Sequence, residues 1–500
     1  MMKKSEKSAS YSHILKYTGL FGGVQGLCIL VGVIRNKLVA MILGPEGVGL
    51  ISLFNSTIRF LGDSTNLGLP MSAVKNISEA YDQKDDRRVS ELVRIIRSWC
   101  VMTALLGMVL CIVLSPLLSK WTFSWDGHTL HFICLSPTIA LLAVYGGELA
   151  ILKGVRRLGA LARIQVYTVF FALLVTTPLY YIYRSAAIVP SLLLVALAQL
   201  VVTVWFSYRQ FPLQLSFRWS LIGKGTGIVK LGLAFVLAEM MGSGAEFIIR
   251  SMLNSVADVE TLGLYNAGFM MTMTYGGMIF SAMETDYFPR LSAITEVGPR
   301  LNETVNMQIE VSLLMLAPLL VIFMVGLPIW LPLLYTGKFL PAIGMIQLMI
   351  LAMYLRAVKL PLAYLPLARG DSRSYLLMEG LYAVLQVFIV TASFRRGGLV
   401  GVGVGILVIA FLDYLILNAY MFWRYEYRVS VEVVRVIALQ FPIALASYAL
   451  TFISNPWIYW GGGFVMILLS AVISVSILRR KTSLWSALKA RFLRKTPIDE

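Results

Sequence analysis

An all-α, multi-pass membrane fold of about fourteen helices is what this sequence predicts, and three observations carry the prediction. Of 500 residues, 58% are hydrophobic and only 14% are charged, and the mean hydropathy is +0.77, which does not describe a soluble enzyme. Apolar runs of the roughly 20 residues that a helix needs to cross a bilayer recur from end to end. The connections between them are short, and their Lys and Arg residues fall mostly on alternate connections.

Residues 1–13, MMKKSEKSASYSH, are basic and lead into an apolar segment without a small-residue cleavage site. A retained first helix is expected there, not a signal peptide. Candidate spans then run at roughly 14–42, 46–79, 93–118, 129–152, 162–183, 187–208 and 226–253. They continue at roughly 258–288, 304–330, 340–368, 374–394, 398–423, 432–453 and 458–478. Cations crowd the N-terminus and the connections near 84–88, 153–163, 209–224, 290–300, 369–373 and 424–428, and again the tail from Arg479. The opposite connections hold chiefly Lys120, Arg184, Lys338, Arg395 and Arg396. The positive-inside rule therefore places both termini in the cytoplasm, with an even number of spans. The formal charge of +17 follows the same rule, and no soluble basic domain exists to bind nucleic acid. No connection has room for a soluble catalytic domain.

A weak internal repeat supports a two-lobed architecture. LKYTG at 15–19 resembles VKLGL at 229–233, VGLISLFNS at 48–56 resembles LGLYNAGFM at 262–270, and RVSE at 88–91 resembles RLNE at 300–303. The offset is about 213 residues and encloses six spans, so the copies share one topology and are parallel repeats. The expected organisation is an N-terminal lobe over 1–220 and a C-terminal lobe over 221–430, each of six helices, around a central cavity. An appended helix pair over 431–480 and a basic cytoplasmic tail over 481–500 complete the chain.

The candidate functional residues are those a bilayer penalises. On the second span, Asn55, Arg59, Asp63 and Asn66 are spaced four, four and three and share one helical face. An Arg or Asp facing mid-bilayer lipid costs roughly 2.5–3.5 kcal/mol, so that face is expected to line a wet cavity between helices. Arg35 and Lys37 lie on the preceding span, where Arg35 can also snorkel to the outer surface. Glu239, Glu246 and Arg250 share a face of the seventh span, and buried carboxylates of this kind can carry a proton or bind a cation. Arg59 with Asp63 and Arg250 with Glu246 stand at i, i±4, so each pair can equally be self-neutralising. Glu284 and Asp286, with Arg290 following, fit either a gate or an ion-coupling site. Arg356 and Lys359 form a second cationic pair on a span that Pro361 and Pro366 are expected to kink. Glu148, Glu379 and Asp413 read as single acids holding helices together. Cys28, Cys100, Cys111 and Cys134 show no CxxC pair and read as buried thiols. His128, His131 and Cys134 have metal-like spacing but sit in a short outer loop, and no metal or cofactor is expected.

With these residues in place, the chain resembles Wzx-type O-antigen flippases, of the superfamily that also holds multidrug extruders and lipid II flippases. The resemblance covers roughly residues 10–425. It is strongest at KLVAMILGPEGVGLISLFNSTIRFLGDSTNLGL (37–69), LGLYNAGFMMTMTYGGMIFSAMETDYFPRLS (262–292) and LPLARGDSRSYLLMEG (365–380). It implies a non-enzymatic transporter of the bacterial inner membrane that moves an undecaprenyl pyrophosphate-linked oligosaccharide to the periplasmic leaflet for lipopolysaccharide biosynthesis. It further implies alternating access, coupling to a proton or sodium gradient, and partnership with polysaccharide polymerase and chain-length proteins. Arg35 or Lys37, Arg59 and Arg250 match positions where such flippases carry cavity cations, and the last helix pair resembles one that lipid II flippases add. A planar guanidinium suits a pyrophosphate through paired, charge-assisted hydrogen bonds. Two readings compete: a drug/cation antiporter of the same superfamily, which predicts a cavity of acids and aromatics, and a membrane polysaccharide polymerase, which predicts a large outer loop.

Overall fold

The computed structural model describes residues 2–122, 127–213, 219–274 and 296–481, with parts of 276–294 between them. Among the described residues all regular structure is helical: α1 (Met2–Thr65), α2 (Leu69–Asp82), α3 (Asp86–Thr122), α4 (Thr129–Gly154), α5 (Leu158–Tyr183), α6 (Ile188–Gln210), α7 (Trp219–Val256) and α8 (Val259–Phe269). A π-helical turn at Met270–Thr274 follows, then α9 (Pro299–Leu334), α10 (Ile343–Ala368), α11 (Ser372–Tyr425), α12 (Val431–Leu450) and α13 (Pro456–Lys481). Nine continuous helical stretches among the described residues are long and apolar enough to cross a bilayer. The protein is an all-helical, multi-pass membrane protein; that number does not by itself establish the expected fourteen crossings.

Two of the longest stretches are broken by glycine. Gly44 lies at φ 68°, ψ −171° inside α1, and Gly398 at φ 55°, ψ −141° inside α11. Both conformations belong to regions that side chains exclude. A helix entering Gly44 therefore leaves it in a new direction, which is how one 64-residue element holds two spans. The expected span 46–79 needs correction. It ends at Thr65, the chain turns through Leu67 and Gly68 at positive φ, and α2 starts afresh at Leu69. Asn66 makes that turn by accepting the Gly68 N–H on its Oδ1 at 2.8 Å, the local bond that favours Asn in turns. Ile343–Ala368, the span expected to be kinked, runs as one continuous helix through Pro361 and Pro366.

Chain contacts divide the molecule into two compact units, one of residues 1–266 with 333–338 and the other of 267–332 with 339–500. In the first, α2, α3 and α4 share an apolar core of Leu69, Ile77, Val93, Ile96, Cys100 and Ile151. Lipid is as apolar as Leu, so close approach and polar bonds hold such helices more than hydrophobicity does. An added Cβ on Gly154 would lie 2.6 Å from Ile77, which explains a small residue where α4 meets α2. In the second unit α10 and α11 pack along their length, and α12 and α13 dock on α9 through Val321, Val325 and Ile443. Gln440 joins α12 to α13, donating Nε2 to Ser474 Oγ at 2.9 Å and accepting from Ser470 Oγ at 2.7 Å. Cys28, Cys100 and Cys111 are buried free thiols, whereas Cys134, expected to be buried, is exposed on the surface of α4.

Candidate functional site

The polar face predicted on the second span forms the centre of a charged cluster in the first unit. Beyond Gly44, α1 packs against α7, and the stacked rings of Phe60 and Phe247, 5.4 Å between centroids, fix the two helices in register. That register brings Arg59 and Asp63 opposite Glu239, Glu246 and Arg250. Arg59 Nε lies 3.7 Å from Asp63 Oδ2, and its Nη1 lies 3.6 Å from Glu246 Oε2. Arg250 Nη1 donates to the same Glu246 oxygen at 2.9 Å. Glu239, two turns before Glu246, is exposed and within electrostatic reach of Asp63 and Arg59.

The two arginines differ in surroundings. Arg59 keeps 62% of its side chain exposed, and Asn55, one turn earlier, is exposed beside it. Arg250 is buried, at 5% exposure. Its Nε donates to Ser52 Oγ at 3.0 Å, and its guanidinium lies 5.9 Å from the Tyr265 ring centroid. Both internal pairs that the spacing allowed are therefore formed, and Glu246 bridges them. Three carboxylates face two guanidiniums, so the cluster can attract an anion at the exposed Arg59 end and a cation or proton around Asp63 and Glu239.

The remaining expected residues are spread more widely. Arg35 Nε donates to Thr176 Oγ1 at 3.2 Å, which ties the first limb of α1 to α5. Lys37 is half-buried. In the second unit Lys359 forms an ion pair with Asp413 and lies 4.3 Å from the Tyr382 ring centroid. Lys359, Asp413, Glu379 and Tyr375 line a small recess between α10 and α11. Arg356, one turn earlier, donates Nη1 to Met273 Sδ at 3.0 Å. Glu284 and Asp286 lie outside the described residues. The His128 and His131 rings lie 4.9 Å apart between centroids, tilted by 36°, and no group of three metal-ligating side chains occurs among the described residues.

Sequence reasoning missed Arg97, Ser52 and Asn266. Arg97 is 4% exposed; its Nε donates to Glu148 Oε1 at 2.7 Å and its Nη2 to Glu148 Oε2 at 3.1 Å. Two further donations, to the carbonyls of Pro212 at 2.9 Å and Phe211 at 3.0 Å, cap the end of α6. The sequence places Arg97 near the start of the span expected at 93–118 without singling it out, and its partner Glu148 was read as a single acid holding helices together. Ser52 and Asn266 are ordinary helix residues by composition. Only the repeat match, which pairs them, singles them out.

Comparison with known proteins agrees with this picture. The family described as polysaccharide biosynthesis protein matches residues 14–295, more than half of the chain. Stage V sporulation protein B of Bacillus subtilis (strain 168) is 22% identical over 138 residues, which span 27% of this chain and 26% of that protein's length. The fold is similar to that of lipid II flippase MurJ in an inward closed conformation, with a TM-score of 0.71 at 11% identity over 92% of this chain and 99% of MurJ. It is also similar to an inward-facing multidrug resistance MATE family transporter of the MOP superfamily, with a TM-score of 0.64 at 14% identity over 79% of this chain and 94% of the other. The all-helical fold, the charged face inside it and the match over residues 14–295 converge, and the chain belongs to the polysaccharide biosynthesis protein family.

Proposed function

We propose that the protein is a flippase that carries a polyprenyl-pyrophosphate-linked oligosaccharide from the cytoplasmic to the outer leaflet by alternating access. The observation that carries this reading is Arg59, a guanidinium 62% exposed on a helix embedded in an apolar bundle. Such a group faces water inside the membrane or not at all. Asn55, Asp63 and Glu239 share that wet surface and offer hydrogen bonds to a sugar chain, while Arg59 and Arg250 offer charge to the pyrophosphate. The family description and the MurJ-like fold support the same reading. An O-antigen-type repeat on undecaprenyl pyrophosphate is the proposed cargo, and the bacterial inner membrane, with both chain ends in the cytoplasm, the proposed location. Polysaccharide polymerase and chain-length proteins would act on the product. Transport requires no catalytic residue.

The carboxylate excess over Arg59 and Arg250 makes Asp63, Glu239 and Glu246 the proposed sites for a coupling proton or sodium ion. The same excess favours a second reading, a drug/cation antiporter. Leaflet sidedness of the glycolipid in cells with and without the protein separates the two. Trapping on the cytoplasmic face on depletion, relieved by restoring the protein, supports the flippase. Unchanged sidedness with increased sensitivity to cationic drugs supports the antiporter.

A further inference from the structure

The two copies of the internal repeat meet in space at equivalent residues. Matching 48–56 to 262–270 pairs Gly49 with Gly263 and Ser52 with Asn266. In the structure Ser52 Oγ donates to Asn266 Oδ1 at 2.8 Å. A Cβ on Gly49 would collide with the backbone of Val259 and Gly263, and one on Gly263 with the backbone of Pro45. The post-kink limb of α1 therefore crosses α8 backbone to backbone, an arrangement that only small residues allow. The loop charges assign this crossing, close to the Gly44 turn, to the outer end of the helices.

Ser52 also connects the crossing to the charged cluster. Its hydroxyl accepts Arg250 Nε at 3.0 Å while it donates to Asn266, and a hydroxyl that accepts from a cation donates more strongly. The chain of contacts thus runs from Asn266 through Ser52, Arg250 and Glu246 to Arg59. We infer that Ser52 is a positioning residue that couples occupancy of the Arg59–Arg250 cluster to the crossing of the two repeats. An anion that engages Arg250 in a paired geometry withdraws Nε from Ser52, weakens the bond to Asn266 and lets the outer crossing part. The identity of that anion as a lipid-linked pyrophosphate rests on the flippase reading; the Ser52 linkage does not.

The test is the distance between spin labels at Glu46→Cys and Glu260→Cys, two exposed positions that open the crossing helices. The labels are placed in the full chain with its four native cysteines replaced, reconstituted in liposomes, with farnesyl pyrophosphate and inorganic pyrophosphate as probes. The parent is expected to show a short distance, and bound farnesyl pyrophosphate to add a longer population. Ser52→Ala and Asn266→Ala are each expected to raise the longer population roughly fivefold without any probe, the factor carried by one ordinary hydrogen bond. Ser52→Thr, which keeps the hydroxyl, should restore the parent pattern. Two alanine variants with the parent's probe-free distances overturn the inference, as does probe binding that leaves the parent's distances unchanged. A parent that binds neither probe overturns the anionic-substrate reading instead, and the probe-free alanine variants still decide the role of Ser52.

Discussion

Arg250 and Arg97 are both buried arginines with carboxylate partners, yet their surroundings assign them different work. Arg250 shares Glu246 with an exposed Arg59 and is one residue of an accessible cluster. Replacing it by Ala removes charge-assisted bonds worth about 1.5–3 kcal/mol each, so transport in proteoliposomes should fall roughly 10- to 100-fold at matched protein levels. Arg59→Ala should act in the same direction; full transport by both variants would rule out a cationic cavity. Arg97 instead donates to Glu148, Ser207 and the carbonyls of Phe211 and Pro212 just past α6. Arg97→Ala leaves Glu148 buried without its counter-ion and should destabilise the protein by about 3–5 kcal/mol. Arg97→Met combined with Glu148→Leu should recover most of that loss, measured as thermal stability in micelles. Asp371, outside the spans, shows a third case. Donation from Ser374, outweighing the opposing effect of partial burial, together with Tyr425 and the nearby Arg424, holds its carboxyl below the usual value. Because the folded value is the lower one, its contribution is present above the unfolded carboxylate value of about 3.9 and is lost as pH falls through the folded value. Asp371→Asn should therefore be less stable than the parent at neutral pH, with the difference closing in acid.

At the scale of elements, glycines decide direction and distance. Gly398 turns α11 back at a backbone conformation that a Cβ disfavours, so Gly398→Ala should cost about 1–3 kcal/mol of stability. Measured unfolding equal to that of the parent would show that this bend relaxes freely. Asp371 and Tyr425 lie at opposite ends of the same bent α11 and are 3.0 Å apart through the tyrosine hydroxyl, so the bend at Gly398 and this bond together close the element on itself. The connection between α11 and α12 is held in a comparable way. Asn306 of α9 accepts from Tyr427 Oη at 2.8 Å and from the Ser430 N–H at 3.0 Å, which fixes where the last helix pair starts.

For the whole molecule, alternation of basic and poor connections predicts which loops share a side of the membrane. Single cysteines placed at 80–92, 154–158, 369–373 and 426–430 should resist a membrane-impermeant thiol reagent in intact cells. Cysteines at 184–187 and 335–340 should react. The opposite labelling pattern would invert the protein in the membrane and the direction proposed for transport.

Fold class, the recurrence of apolar membrane-length helices and the residues that lipid would reject were legible in the sequence, because hydropathy and side-chain chemistry are local properties that a bilayer reads one helix at a time. The shared face of Arg59 and Asp63 was legible for the same reason, since a helix fixes spacing along itself, and the break near Gly44 falls in the gap between the spans expected at 14–42 and 46–79. The stop at Asn66–Gly68 lay in the polar run Gly62–Asn66, whose side chains also fit one helical face, and the pairing partners were hidden altogether. That Arg97 meets Glu148, that Lys359 meets Asp413 and that Ser52 joins Arg250 to Asn266 depends on the register and closeness of different helices. Register between helices is set by small residues and polar bonds far apart in the chain, so only the tertiary structure decided which charges stand exposed and which neutralise one another.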